Sequence, residues 1–168
     1  MTGTGAGPAP TSFWQFSLGF YRQPAVAQAC LMLQDEAGVD VNLLLFLLWQ
    51  ATQRRALSEV DVRAIEQHIR PWREATVIPL RAIRRALKSP PALVQAGTAE
   101  AYRSRIKAVE LEAEKLQQEA MQGFADGAAF GIPAASIDQA ARSNLAAYQA
   151  LILTRFPVGI GEVLIAAL

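Results

Sequence analysis

The side chains best suited to chemistry surround one glycine turn. Asp35 and Asp40 flank Gly38, with Gln34 and Asn42 beside them. Carboxylate and amide oxygens can hold a hard cation, but calcium loops need six or more oxygens at fixed offsets, and the EF-hand pattern is absent. We therefore expect no metal here. Asp40 is predicted to cap a helix, and Asn42 or Asp35 to tie the turn by hydrogen bonds. The alternative is a small-ligand or metal-dependent helical enzyme that uses Asp35, Asp40 and Asn42.

Other catalytic residue types are scarce. The chain has one histidine, His68, and one cysteine, Cys30. Cys30 lies in an apolar stretch with no basic residue nearby, which predicts a buried, unreactive thiol. A lone cysteine forms no intrachain disulfide, which fits a reducing, cytoplasmic compartment. There is no phosphate-binding loop, nucleophile elbow or C-x-x-C motif. The sequence thus predicts no cofactor and favours a protein without catalysis.

Basic residues are concentrated between positions 81 and 107, where Glu100 is the only acid. If this segment is a helical hairpin, both basic helix ends meet at the loop and form a basic tip. Such a tip could hold an acidic protein, RNA or anionic lipid. The alternative is a solvated tip that is neutralised by acids such as Glu59, Asp61 or Glu66. The residues of the predicted tip are Arg81, Arg84, Arg85, Lys88, Arg103, Arg105 and Lys107.

Composition bears on the type of partner. The net charge is +1, so no global field attracts nucleic acid or membrane. Tyr102 is the only aromatic residue among the basic ones, so a platform for stacking nucleotides is weakly supported. The apolar residues 151–168 suggest a third interpretation, peripheral membrane association. The sequence favours an interaction or structural module with a protein partner, and leaves a homo-oligomer open.

Capping residues predict where helices begin. Strand signals are almost absent, and Gly38 is placed to end the second helix in the left-handed conformation. Pro71 and Pro79 interrupt an apolar stripe, which predicts a kinked helix ending before Ser89. The predicted N-terminal caps are Ser12, Asp40, Ser58, Thr98 and Ser136.

A helical hairpin is predicted over about 58–121. From Ala99 to Ala120, apolar residues recur at spacings of three and four. This rhythm predicts antiparallel packing against helix 72–88, with an intermolecular coiled coil as the alternative.

The predicted fold class is all-α, a compact bundle of five to seven helices. With 168 residues, 52% of them hydrophobic, the chain can form one real core. We expect a disordered leader at residues 1–11, a helical domain at 12–124, a linker at 125–135, and a C-terminal helix and apolar tail at 136–168. Whether residues 151–168 dock on the core or protrude stays open at this point.

Two blocks of sequence carry a family resemblance. The first runs from Phe13-Trp14-x-Phe16-Ser17-Leu18 through Gly38-x-Asp40-Val41-Asn42 to Leu48-Trp49. The second includes Trp72-Arg73, Val77-x-Pro79-Leu80-Arg81 and Arg84-Arg85-x-Leu87-Lys88. Together they resemble an uncharacterised proteobacterial family, a domain of unknown function. The resemblance implies a small, mainly helical bacterial protein and no catalytic residues.

Overall fold

The computed structural model describes residues 11–127 and 130–168, and it is all-α apart from one two-residue strand pair. The predicted fold class is confirmed. Apart from Thr11, the predicted leader lies outside the described residues. The elements are α1 (Phe13–Tyr21), α2 (Pro24–Ala37), α3 (Val41–Thr52), β1 (Arg55–Ala56), α4 (Glu59–Trp72), a π-helical segment (Arg73–Val77), α5 (Ile78–Ala86), α6 (Ala96–Asp126), β2 (Ile132–Pro133), α7 (Ile137–Ile152) and α8 (Ile160–Ala166).

Helix α3 is the centre of the core. Residues 42–51 are all buried, so this helix has no solvent-facing side. That agrees with its sequence, since a helix that is apolar all round must be covered on every face. Helices α1, α6 and α7 pack around it.

One long helix changes from α-helical to π-helical winding at its middle. Helices α4 and α5 are joined without a break by the π-helical segment, in which the amide of Ile78 donates to the carbonyl of Arg73. Pro71 and Pro79 stand on either side of this segment, and each lacks an amide donor. A wider, π-helical turn therefore lies between the prolines, where the sequence predicted a kink. Counted as one helix, α4 to α5 brings the described bundle to seven helices.

Helices α5 and α6 form the predicted hairpin. Trp72 Nε1 donates to the carbonyl oxygen of Ala113 at 2.9 Å, and Arg103 Nε to that of Arg84 at 3.3 Å. In these two contacts, the higher residue number on one side pairs with the lower number on the other, so the two helices run antiparallel. The predicted cap Thr98 is wrong, because α6 already begins at Ala96 after Gln95, whose side chain makes no capping bond.

Residues 130–168 pack on the same body. Strand β2 pairs antiparallel with β1, within the interval predicted as a linker. Asn144 of α7 accepts from the amide of Leu57 at 2.7 Å and donates to the carbonyl of Leu47 at 2.9 Å. Leu164 of α8 is fully buried, so this part of the apolar tail docks on the core. None of the helices in the described part of the chain combines the length and apolarity needed to cross a membrane.

Candidate functional site

Asp40 is the centre of a polar cluster at the base of the hairpin. Its Oδ1 accepts from the amides of Asn42 at 2.8 Å and Leu43 at 3.3 Å, which makes it the predicted cap of α3. Its Oδ2 accepts from Arg73 Nη1 at 2.8 Å and from Gln117 Nε2 at 3.2 Å. One carboxylate therefore joins α3 to the π-helical segment and to α6.

Arg73 and Tyr148 complete this Asp40 cluster. Arg73 donates through both terminal nitrogens to Glu66, at 2.6 and 2.7 Å. Hydrogen bonding to Glu66 raises the pKa of Arg73 above its already high value, and Asp40 adds to the effect. Tyr148 Oη accepts from the amide of Asp40 at 2.9 Å, and burial raises the pKa of this phenol. The cluster thus holds a permanent cation between two carboxylates, whereas the buried Oε1 of Gln117 accepts no hydrogen bond.

The other predicted members of the polar group point elsewhere. The Asp35 side chain is 67% exposed, and its nearest cation is Arg85, with Nη2 4.0 Å from Oδ1. Asn42 is buried, and its Oδ1 accepts from Gln118 Nε2 at 2.7 Å. Gln34 makes no side-chain hydrogen bond to another described residue. Asp35, Asp40 and Asn42 therefore share no pocket, and the constellation that the enzyme interpretation requires does not form. No group of three metal-binding side chains occurs within 11–127 and 130–168.

Three of the seven predicted tip residues are neutralised by acids. Arg81 binds Glu110 at 3.3 Å and Glu114 at 2.7 Å, and Arg84 also pairs with Glu110. Hydrogen bonding to Glu110 raises the pKa of Arg84. Burial raises the pKa of Glu114, against the opposing effect of Arg81. Arg103 pairs with Glu100 at 2.9 Å.

The acids expected to neutralise the tip are engaged elsewhere. Glu59 pairs with Arg63, Asp61 completes the capping box of Ser58, and Glu66 belongs to the Asp40 cluster. That expectation was wrong because antiparallel packing brings the acidic middle of α6, not α4, against α5. The same packing explains why α6 is basic first and acidic later, against its own dipole.

Four predicted tip residues keep their charge accessible. Arg85 is more than half exposed and reaches only the distant Asp35. Lys88, Arg105 and Lys107 are exposed, and across the described ranges no acid lies within 4.0 Å of them. The Arg105 guanidinium lies 5.5 Å from the centre of the Tyr102 ring. We call Arg85, Lys88, Arg105 and Lys107 the free basic end of the hairpin.

The lone histidine and cysteine stay outside these sites. His68 is exposed, and its ring lies 4.8 Å from that of Phe124. Cys30 is buried in α2, and burial raises the pKa of its thiol to about 12. The environment of Cys30 therefore opposes the thiolate form.

Most of the Asp40 cluster was missed from sequence. Glu66, Arg73, Gln117 and Tyr148 were not proposed as site residues. A signal was present in α6, where Gln117 and Gln118 are polar residues on the face that packs on the body. Arg73 follows Trp72 beside the two prolines, but nothing in its spacing links it to Asp40.

Comparison with known families decides the relationship. The sequence profile of a family described as a protein of unknown function, DUF2390, matches residues 12–121. The chain belongs to this family. The DUF2390 segment contains the whole basic hairpin and every member of the Asp40 cluster except Tyr148. No curated protein and no solved structure matches the chain significantly.

Proposed function

We propose that this DUF2390 protein is a non-catalytic interaction module that binds an acidic protein partner through the free basic end of the hairpin. The observation that carries the proposal is a contrast among the basic residues of the hairpin. Arg81, Arg84 and Arg103 are neutralised within the fold, whereas Lys88, Arg105 and Lys107 are not. Cations without intramolecular partners are available to an acidic surface, where they speed association and set specificity.

The loop that joins α5 to α6 exposes apolar side chains at the same end of the hairpin. Leu93 is 95% exposed and Val94 is 43% exposed. An apolar anchor beside basic side chains suits a protein segment that carries both acidic and apolar residues.

Nucleic acid and membrane fit this surface less well. Tyr102 is the one aromatic residue in the sequence between positions 81 and 107, and its ring already lies against the Arg105 guanidinium. Single-stranded nucleic acid is typically held by several aromatic residues in a basic groove. The membrane interpretation depended on residues 151–168, of which Phe156, Ile160 and Leu164 pack against the core.

We also infer a cytoplasmic location, which the single buried thiol supports.

The test compares two charge reversals of equal size. Lys88→Glu with Lys107→Glu reverses the free basic end. Arg22→Glu with Arg155→Glu makes the same change at two exposed arginines off the hairpin. The probe is fluorescein-labelled poly-L-glutamate, with binding followed by anisotropy at low and high salt. We expect the hairpin variant to weaken binding at least about tenfold at low salt and the control to change it little.

The same variants are then used to capture proteins from a cell extract. A protein retained by the control and lost by the hairpin variant supports the proposal, provided that circular dichroism shows both variants equally helical. Equal binding by both variants would overturn it. Tighter binding of polyuridylate or of anionic vesicles than of poly-L-glutamate would also overturn it, in favour of RNA or lipid.

A further inference from the structure

Besides its buried face, α6 carries a row of half-exposed apolar residues along its length. Tyr102, Val109 and Leu116 are spaced seven residues apart, and they are 46%, 48% and 46% exposed. The contact with the body uses other residues of α6, such as Ala99, Ala113 and Met121. The row therefore has the period of a coiled-coil seam, and none of the described helices covers it.

A row of charged residues lies next to it. Arg105, Glu112 and Glu119 each follow an apolar row member by three residues, so they lie one turn away on the same side of α6. All three are exposed. Arg105 and Glu112 make no ion pair with any described residue, and Glu119 pairs only with the neighbouring Lys115 at 3.7 Å.

The apolar row and the charged row of α6 match those of a second α6 when the two helices run in opposite directions. Val109 lies seven residues from both Tyr102 and Leu116. A two-fold axis at Val109 therefore places each Tyr102 opposite Leu116 of the second copy. In the same register, Arg105 of one copy lies within about one residue of Glu112 of the other, on both sides of the axis. A parallel pair would instead set Arg105 beside Arg105 and Glu112 beside Glu112.

We propose that α6 pairs with α6 of a second copy of this chain, antiparallel and centred on Val109, to form a two-fold dimer. The charge pattern identifies the occupant of the apolar row, because one helix supplies both the basic and the acidic half of the contact. Trp72 extends the apolar surface, since it is 40% exposed and its indole binds Ala113, one turn from Val109 and Leu116. This dimer goes beyond the interaction proposed for the hairpin end, with which it shares only Arg105.

The dimer is tested by exchanging charges in the full chain. Arg105→Glu and Glu112→Arg each replace two attractive contacts with repulsive ones, whereas the double variant restores attraction with the signs exchanged. Within one helix these positions are about 10 Å apart along the axis, so rescue cannot arise inside one chain. We expect the wild-type mass in sedimentation equilibrium to approach twice 18.2 kDa as concentration rises. Each single variant should raise the dissociation constant at least about tenfold, and the double variant should bring it back.

A matched pair of substitutions tests the apolar row. Val109 and Leu111 are 48% and 49% exposed on the same helix, but only Val109 lies in the row. We expect Val109→Glu to give a monomer and Leu111→Glu to leave the dimer intact, with both variants fully helical by circular dichroism.

Each outcome decides between the two proposals. A wild-type monomer at all concentrations, or singles that dimerise normally, would overturn the dimer. Singles that do not recover in the double variant would overturn this register. The variant Lys88→Glu with Lys107→Glu should still dimerise, because both lysines lie off the row. If that variant loses poly-L-glutamate but the protein is a monomer, the hairpin interaction stands alone. A dimer that binds no acidic probe would leave only the inference about α6.

Discussion

Asp40 shows how much one residue contributes to holding this molecule together. One carboxylate oxygen caps α3, the other binds Arg73 and Gln117, and the backbone amide is held by Tyr148. The cap could be predicted from sequence, because an aspartate before an apolar helical run is a local signal. The ion pair could not, because Arg73 reaches Asp40 only after the chain has folded back on itself.

Removing Arg73 should be costly. Its side chain is 17% exposed, and Arg73→Met leaves Asp40 and Glu66 without their shared cation. We expect a loss of about 3 kcal/mol in the free energy of unfolding, measured by urea denaturation. Arg70→Met is the control, since Arg70 also pairs with Glu66 but is 51% exposed, and it should cost under about 1 kcal/mol. Equal losses in the free energy of unfolding would mean that the Asp40 cluster stabilises the fold no more than an exposed ion pair does.

Cys30 should be inert until the protein unfolds. Burial raises its thiol pKa to about 12, so almost no thiolate forms in the folded state at neutral pH. We expect a thiol-specific disulfide reagent to react with the denatured chain at least about a hundredfold faster than with the native chain. The thiol pKa of Cys30 is higher in the folded state than in the unfolded state. The contribution of this thiol to folding stability is therefore fully present below about pH 8.5 and is lost as the pH rises towards 12. Rapid native labelling would show that α2 opens readily.

At the scale of elements, local capping signals predicted helix starts well. Ser12, Asp40, Ser58 and Ser136 all accept from amides at the helix starts predicted for them. Thr98 failed as a cap because α6 already begins two residues earlier, at Ala96. Prolines at 71 and 79 predicted an interruption, but not that a π-helical turn would carry the helix through it.

Two glycines with similar backbone angles should respond differently to substitution. Gly38 has φ of 65°, and a Cβ there would meet nothing within 4 Å. Gly131 has φ of 68°, and a Cβ there would lie 2.6 Å from Leu57 Cδ2 and 2.9 Å from the Ala56 carbonyl oxygen. We expect Gly38→Ala to cost about 1 kcal/mol, because the strain is in the backbone alone. Gly131→Ala should cost more than about 2 kcal/mol, because the β1–β2 contact must also move. Thermal unfolding of both variants measures the difference, and equal costs would contradict it.

At the scale of the whole molecule, the all-α class and the hairpin followed from helical periodicity and caps. The candidate site was only partly predictable. The seven basic residues were visible in sequence, but their division into paired and free ones depends on which turns of α6 face α5. Glu110 and Glu114 pair with arginines of α5 that lie 26 to 33 residues away in the sequence, so no local pattern predicts these ion pairs.

Stability should be uneven across the fold. No residue of α5 is buried, whereas ten consecutive residues of α3 are. We therefore expect amide hydrogen exchange in α5 and in residues 96–109 to proceed through local opening of low free energy, with α3 exchanging only on global unfolding. Mass spectrometry gives the ranking, at a protein concentration low enough to dissociate the proposed dimer. Protection of α5 equal to that of α3 would contradict it.

The contacts that bury α3 extend beyond the segment that matches the family profile. The DUF2390 profile ends at residue 121, yet Leu47, Asp40 and Leu57 find partners in Asn144 and Tyr148 of α7. A fragment cut at that border would expose one whole side of an apolar helix and several unpaired polar groups. In this chain, the segment that matches the family profile is therefore shorter than the part that packs around α3.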